Sequence, residues 1–312
     1  MEMPTTPSIK FNNGYLCPVL GLGTYQAKET RQAVKYAVDA GYRHFDGAAV
    51  YENEAEVGAG IRDKIEEGVI KREDVFITSK LWCTCLRPDL VVPALKDSLA
   101  RFCLDYLDLY LVHWPFSMKE GTGTWIPRQE DGSVAQSTAD YLDTWKQMEE
   151  CVKLGLTRSI GVSNFNNNQL QRLLDVCTIK PVTNQVECHP FLNQKELIAF
   201  CRARDVVVTA YSPLANPSKQ DAVGAPRLLD DPKLKSLAEK HNKTVAQVIL
   251  RYLIQIGTLA IPKSANKSRI EENIQVFDFS LSDDEMAFMD SLDNNTRTCP
   301  FSEMKSHPNY PF

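Results

Sequence analysis

No apolar run in this 312-residue sequence approaches the roughly 20 residues needed to cross a bilayer, which argues against a membrane helix. The opening "MEMPTTPSIKFNNG" lacks the basic and apolar regions of a secretory signal, so none is expected. The nine cysteines include no CxxC, and Cys83 and Cys85 in "WCTC" are badly spaced for a zinc knuckle or redox pair. They read as small buried hydrophobes in a reducing compartment, with the cytosol as the expected location. Positive charge is in deficit, 35 Lys and Arg against 40 Asp and Glu, and the net −5 argues against nucleic acid or an anionic membrane as main partner. Internal repeats and low-complexity segments are missing. So is GxGxxG: "GLGTYQ" and "GAGIRD" each lack the third glycine, which counts against an open doubly wound dinucleotide-binding sheet.

What is present is a rhythm of short apolar runs followed by helical patterns, in an ordinary composition of 43% hydrophobic and 24% charged residues. The runs are "VLGLGTY", "RHFDGA", "VFITSKLW", "YLDLYLVHW", "SIGVSN", "VTNQVE", "VVVTAYS" and "TLAIPKS". Between them lie stretches such as "ADYLDTWKQMEECVKLG", where Leu142, Trp145, Met148 and Val152 recur at helical spacing and Gly155 stands at a C-terminal cap. Eight strand–helix units of this length predict an α/β fold, a single (β/α)8 TIM barrel domain over residues 1–312. Within residues 1–18, alternation around Asn13-Gly14 predicts a β-hairpin plugging the bottom. The connections Phe116–Ser137 and Ala215–Leu229 read as irregular, and residues 294–312 as a structureless tail, frayed or folded over the top.

The apolar runs close on Asp46, Lys80, His113, Asn164, Gln185, Tyr211 and Lys263, which a barrel would gather at one rim. Each has a plain structural reading. Asp46 could cap the next helix, although Asn53 lies nearer that helix's start. Lys80 could snorkel, and His113 or Tyr51 could be a satisfied core residue. Together they suggest specific chemistry. A lysine ammonium beside Tyr51 would lower the phenol's pKa, Asp46 would hold Lys80, and His113 would orient a substrate oxygen. That set suits proton donation during carbonyl reduction, which also needs a hydride from a cofactor. In "AIPKSANKSRIEEN", Lys263, Ser264 and Arg269 surround a helix start and suit the extra phosphate of NADP, or else form a solvated basic patch.

The motifs "GLGTYQ", "GYRHFDGAAVYENE", "ITSKLW", "DLYLVHWP", "GVSNFN", "NQVECHP", "TAYSPL" and "IPKSANKSRIEEN" occur in this order. Through them the chain resembles the aldo-keto reductases over nearly its whole length, and looks most like the aldose and aldehyde reductase branch. The resemblance implies a (β/α)8 barrel with NADP(H) lying across the rim. It makes Tyr51 the general acid, with Lys80, Asp46 and His113 around it. Ser163, Asn164 and Gln185 would hold the nicotinamide carboxamide, and Tyr211 would stack on its ring. Gly23 and Thr24 would approach the cofactor, while Ser212 and Leu214 would contact its pyrophosphate. Lys263, Ser264 and Arg269 would form the 2′-phosphate site, and Glu272 and Asn273 the adenine contacts. Histidine at 113, where one branch carries glutamate, implies carbonyl reduction rather than reduction of a steroid double bond.

Two positions depart from the family pattern. Gly47 is smaller than usual and is expected to loosen its strand end, and Tyr25 stands where the aldose branch carries tryptophan. On the same alignment Tyr25, Trp82, Trp114, Phe116, Trp125, Cys299 and Phe301 line the pocket, an aromatic mouth suited to lipophilic aldehydes and ketones, including ketosteroid-like ones. The expected enzyme is a cytoplasmic monomer using NADPH, without metal. Two alternatives remain at this stage. One is a non-catalytic regulator keeping the barrel and cofactor. The other is a metal hydrolase using His113, Cys188 and His189, against which adjacent strand residues point apart.

Overall fold

In the computed structural model, residues 6–217 and 227–312 are described. Asn13-Gly14 turns the first segment back on itself, with Gly14 supplying the positive φ (93°) that other residues resist. Ser8–Lys10 (β1) thereby pairs antiparallel with Leu16–Pro18 (β2), Ile9 opposite Cys17. Phe11, Cys17 and Val19 bury against Phe76, Leu109, Val182 and Leu259, which lie toward the starts of barrel strands. The hairpin therefore closes the bottom as expected; residues 1–5 of that region lie outside the described residues.

The eight apolar runs become eight parallel strands. These are Leu22–Gly23 (β3), His44–Asp46 (β4), Phe76–Leu81 (β5), Leu107–Val112 (β6), Thr157–Ser163 (β7), Thr183–Glu187 (β8), Val207–Tyr211 (β9) and Leu259–Ala260 (β10). They pair in sequence order. Parallel bridges Leu20–Ala260 and Gly23–Lys263 join first to last, so the sheet closes on itself. Closure removes exposed edges and sends every strand end to the same rim.

Between strands the helical patterns fold on their apolar stripes. In Tyr141–Lys153 (α4), Asp140 caps the first turn by accepting from Leu142 N at 2.9 Å, and Trp145 and Met148 are buried. Gly155 follows the helix end at φ 72°, the left-handed cap its position predicted. Asn167–Leu174 (α5) begins with a reciprocal cap between Asn166 and Gln169.

Gly47 and the two long connections can be compared with expectation. Gly47 does not loosen its strand end: its N–H donates to Thr78 O at 2.9 Å, its carbonyl accepts from Lys80 Nζ at 2.8 Å, and an added Cβ would press Phe102 Cζ at 3.2 Å. The connection Phe116–Ser137 is irregular as expected, with the isolated antiparallel bridges Met118–Gln136 and Arg128–Val134 folding it back on itself. Part of the Ala215–Leu229 connection, residues 218–226, lies outside the described residues.

Of the two expectations for the tail from Asn294, the second holds: it is not frayed but folds over the top, with Phe301 and Met304 packing beside Trp82 and Trp114. It contains a short 3-10 turn at Ser302–Met304, and side chains of the barrel and α5 grip its main chain. Glu187 accepts from the N–H groups of Thr298 at 2.7 Å and Cys299 at 2.9 Å. Gln169 donates to Asn309 O at 2.9 Å and Asn166 to Pro311 O at 3.1 Å. The two residues that cap α5 thus also fasten the tail.

Candidate active site

The centre of the rim is an ion pair taken out of water. Asp46, last in β4, accepts from Lys80 Nζ in the neighbouring β5 at 2.5 Å, and Lys80 is fully buried. A buried ammonium needs a close anion and further acceptors. Asp46 supplies the anion, and the Gly47 carbonyl supplies an acceptor at 2.8 Å. Lys80 also donates to the Tyr51 hydroxyl at 3.4 Å. Tyr51 rides on a 3-10 turn, Ala49–Tyr51, that leads from β4 toward Glu54–Glu66 (α2). Asp46 is therefore no helix cap. Asn53 does occupy the cap position, but its amide instead donates to Thr24 O at 2.8 Å and Thr30 Oγ1 at 3.3 Å, tying two loops together.

His113 follows β6, its ring 5.8 Å from Tyr51 and 5.0 Å from Trp82, both edge-on. Burial, helped by Lys80, pushes its pKa well below the ordinary imidazole value, so the ring is neutral at pH 7. Its Nδ1 is buried without a hydrogen-bond partner among the described residues. The Tyr51 phenol departs from expectation. Burial, reinforced by Asp46, Tyr25 and Cys299, pushes its pKa well above the ordinary value instead of lowering it. The largest cause is the burial of the phenol itself, which outweighs the attraction of a Lys80 ammonium already paired with Asp46. Tyr51 consequently stays protonated, as a donor must.

A chain of polar groups runs on around the rim. Gln185 Nε2 donates to the second Asp46 oxygen at 2.8 Å. Ser163, paired in register with Gln185, donates to its carbonyl at 2.8 Å. Asn164 donates to His113 O at 3.0 Å and accepts from the Tyr211 hydroxyl at 2.9 Å. Thr24 donates to Asp46 O at 2.9 Å, and Gly23 packs so closely that an added Cβ would meet Ile261 O at 2.8 Å. Ser212, at φ 46°, has its hydroxyl 4.0 Å from Cys299 Sγ, and Leu214 packs against the barrel core.

On the last loop, Lys263 bridges to Gly23 while Ser264 is buried and bonded to Asn266 N at 3.1 Å. Arg269 is in the first turn of Lys267–Asn273. Among the described residues neither Lys263 nor Arg269 is in an ion pair. Glu272 accepts from Thr244 Oγ1 at 2.8 Å, and Asn273 beside it is buried.

Trp82, Trp114 and Phe116 belong to a separate apolar cluster at the mouth, with Met304 and the partly buried Trp125 and Phe301. Phe301 of the tail lies 6.2 Å from Trp82 and 5.5 Å from both Trp114 and Phe116. Tyr25 is 40% exposed, its ring 5.0 Å from Tyr51. Cys188 and His189 are engaged away from His113, with Cys188 Sγ donating to Asn193 O at 3.5 Å and His189 Nε2 on Glu187 at 3.1 Å.

Sequence reasoning missed several supports. Glu187 receives the tail, Glu52 accepts from Trp125 Nε1 at 2.9 Å, and Glu54 joins Ser79 to Arg101. Glu187 carried a usable signal: in "NQVE" it sits two residues past Gln185, on the same face of the strand.

Residues 10–294 match the Aldo/keto reductase family. The chain belongs to that family. This aldo/keto reductase is an oxidoreductase with full-length relatives. It is 47% identical to prostaglandin F synthase 2 of Bos taurus, covering 99% of this chain and 98% of that protein. It is 46% identical to estradiol 17 beta-dehydrogenase 5 of Mus musculus, covering 98% and 97%. The solved aldose reductase of Schistosoma japonicum superposes with a TM-score of 0.93 at 43% identity, over 98% of each chain. No helix among the described residues is long and apolar enough to cross a membrane.

Proposed function

We propose that this aldo/keto reductase uses NADPH to reduce aldehydes and lipophilic ketones, with Tyr51 as general acid. The observation that carries the reading is the convergence of four side chains: the Tyr51 hydroxyl 3.4 Å from Lys80, Lys80 2.5 Å from Asp46, and the neutral His113 ring 5.8 Å from Tyr51. The donor set suits the cofactor. Lys263 and Arg269 offer cations for a 2′-phosphate, with Ser264 beside them. Ser163, Asn164 and Gln185 offer hydroxyl and amide groups for a carboxamide. Gly23, Thr24, Ser212, Leu214, Tyr211, Glu272 and Asn273 would complete the contacts. NADPH, when bound, supplies the hydride.

This chain's residues supply the proton and the alignment. A carbonyl oxygen between Tyr51 and His113 would take a hydrogen bond from each, if His113 is protonated on the nitrogen facing it. As negative charge develops on that oxygen, Tyr51 transfers its proton, and the Lys80 ammonium stabilises the phenolate left behind. The aromatic mouth excludes water and favours apolar carbonyl compounds. The relatives' names, referring to a prostaglandin and a steroid, point to lipophilic partners as well. We take the protein to act as a cytoplasmic monomer of one domain.

The test is NADPH oxidation by purified protein at neutral pH. Benzaldehyde should give a kcat/KM about 10–100-fold above glucose, the equivalent of burying one apolar group. Equal values would remove the apolar-carbonyl reading, and no oxidation with any aldehyde or ketone would remove the reductase reading. Lys263→Ala and Arg269→Ala should each weaken NADPH binding about 10–100-fold, the worth of one hydrogen bond to a charged group. NADH binding should change less than about twofold, since it lacks the phosphate. Equal losses for both cofactors would refute the 2′-phosphate assignment.

A further inference from the structure

Glu187 is fully buried at the last position of β8, two residues beyond Gln185. Side chains two apart on a strand share a face, so the face that presents Gln185 to Asp46 also presents Glu187, one step nearer the mouth. Four hydrogen bonds converge on its carboxylate. Oε1 accepts from Thr298 N at 2.7 Å, from Thr298 Oγ1 at 2.6 Å and from His189 Nε2 at 3.1 Å. Oε2 accepts from Cys299 N at 2.9 Å. A carboxylate placed only to satisfy His189 would not face three donors from a segment 111 residues away. Just upstream, the N–H of Thr296 donates to Phe191 O at 3.0 Å, so the tail is tied to the loop after β8 before it reaches Glu187.

The residues that follow enter the mouth. Cys299 approaches Ser212, its Sγ 4.0 Å from the hydroxyl, and Phe301 packs on Trp82, Trp114 and Phe116. Phe301 is held at φ 46°, a strained value for a residue with a Cβ, which persists only where the surroundings impose it.

We propose that Glu187 is a positioning residue: it anchors the tail main chain at Thr298 and Cys299, and so fixes where Cys299 and Phe301 stand in the carbonyl pocket. The pocket's role rests on the reductase reading above, but the anchor does not. Burial would raise the Glu187 pKa, yet the bonds from His189 and Thr298 outweigh it and hold the carboxyl below its usual range. It therefore meets the tail as an anion, the stronger acceptor.

The test compares the full-length protein with Glu187→Gln and Thr298→Val. Glutamine keeps the shape but has one acceptor oxygen, and its NH2 must face one of the tail donors. Amide hydrogen exchange across residues 296–304 should accelerate about tenfold or more in Glu187→Gln, while β4–β6 keep their protection. The KM for 4-nitrobenzaldehyde should rise roughly ten- to hundredfold, while kcat and the NADPH dissociation constant change less than about threefold. Thr298→Val removes one donor and keeps both N–H bonds, so it should move the same two readouts in the same direction by about two- to fivefold.

Unchanged exchange in 296–304 overturns the anchor. So does faster exchange with an unchanged KM, or a loss of protection spread evenly over the barrel, which is the mark of a merely structural ion pair. If Glu187→Gln does not fold, Thr298→Val decides by the same criteria. If the unsubstituted protein reduces no carbonyl compound, the reductase reading fails by itself, and the exchange measurement alone decides the anchor.

Discussion

Phenylalanine at position 51 is expected to cut kcat for aldehyde reduction by roughly 10²–10⁴-fold, the usual worth of a positioned general acid. NADPH affinity should stay within about twofold, because only a hydroxyl is removed and no charge changes. The ring can keep its packing against Tyr25 at 5.0 Å and His113 at 5.8 Å, so loss of shape would not explain the deficit. The competing donor is His113. Its pKa lies well below the ordinary value, so it is neutral at the pH of assay, though one nitrogen still carries a proton. If that proton were the one transferred, Tyr51→Phe would retain most of the activity, and a loss smaller than about tenfold would reassign the acid.

A pH profile adds an independent check. The Tyr51 pKa is raised, so the protonated donor persists on the alkaline side, and burial holds the His113 pKa well below its ordinary value. Reduction should therefore be flat between about pH 6 and 9 where chemistry limits the rate, with any fall lying at higher pH. A steep alkaline limb centred near neutrality would show that the phenol is far more acidic than its burial dictates.

The second large effect concerns Asp46. Asp46→Asn leaves the Lys80 ammonium fully buried without its anion, a type of change that costs about 3–5 kcal/mol of stability. Lys80→Met strands the carboxylate instead, with the Gln185 amide at 2.8 Å as its remaining partner, and should cost a similar amount. Combining Asp46→Asn with Lys80→Met leaves no unpaired buried charge and should recover part of the loss. Activity should not recover, because the ammonium that stabilises the phenolate is gone. Urea unfolding and turnover, measured on the three variants, separate the two roles. Recovery of turnover in the double variant would mean that Lys80 has no part in the chemistry.

Much of this was legible in the sequence, for identifiable reasons. Strand ends can be found from apolar runs, and parallel closure then carries Asp46, Lys80, His113, Asn164 and Gln185 to one rim without any knowledge of contacts. The cap at Gly155 and the turn at Gly14 were readable because both are local. What escaped depends on partners distant in the chain. Asn53 looks like a cap until Thr24 and Thr30 are folded against it. The tail looks unanchored until Glu187, Gln169 and Asn166 reach it. The Tyr51 pKa was misread because burial outweighs the nearby lysine, and the sequence does not show how deeply distant segments will bury the phenol.

The way the tail is fastened has its own consequence for how this pocket can change. Framework side chains hold positions 298, 299, 309 and 311 by peptide N–H and C=O groups, which every residue except proline possesses in full. The side chains of Cys299 and Phe301 are thus exchangeable panels on a fixed frame. New ones can reshape the wall around a guest molecule while the rivets, and the proton-transfer group beneath, stay where they are.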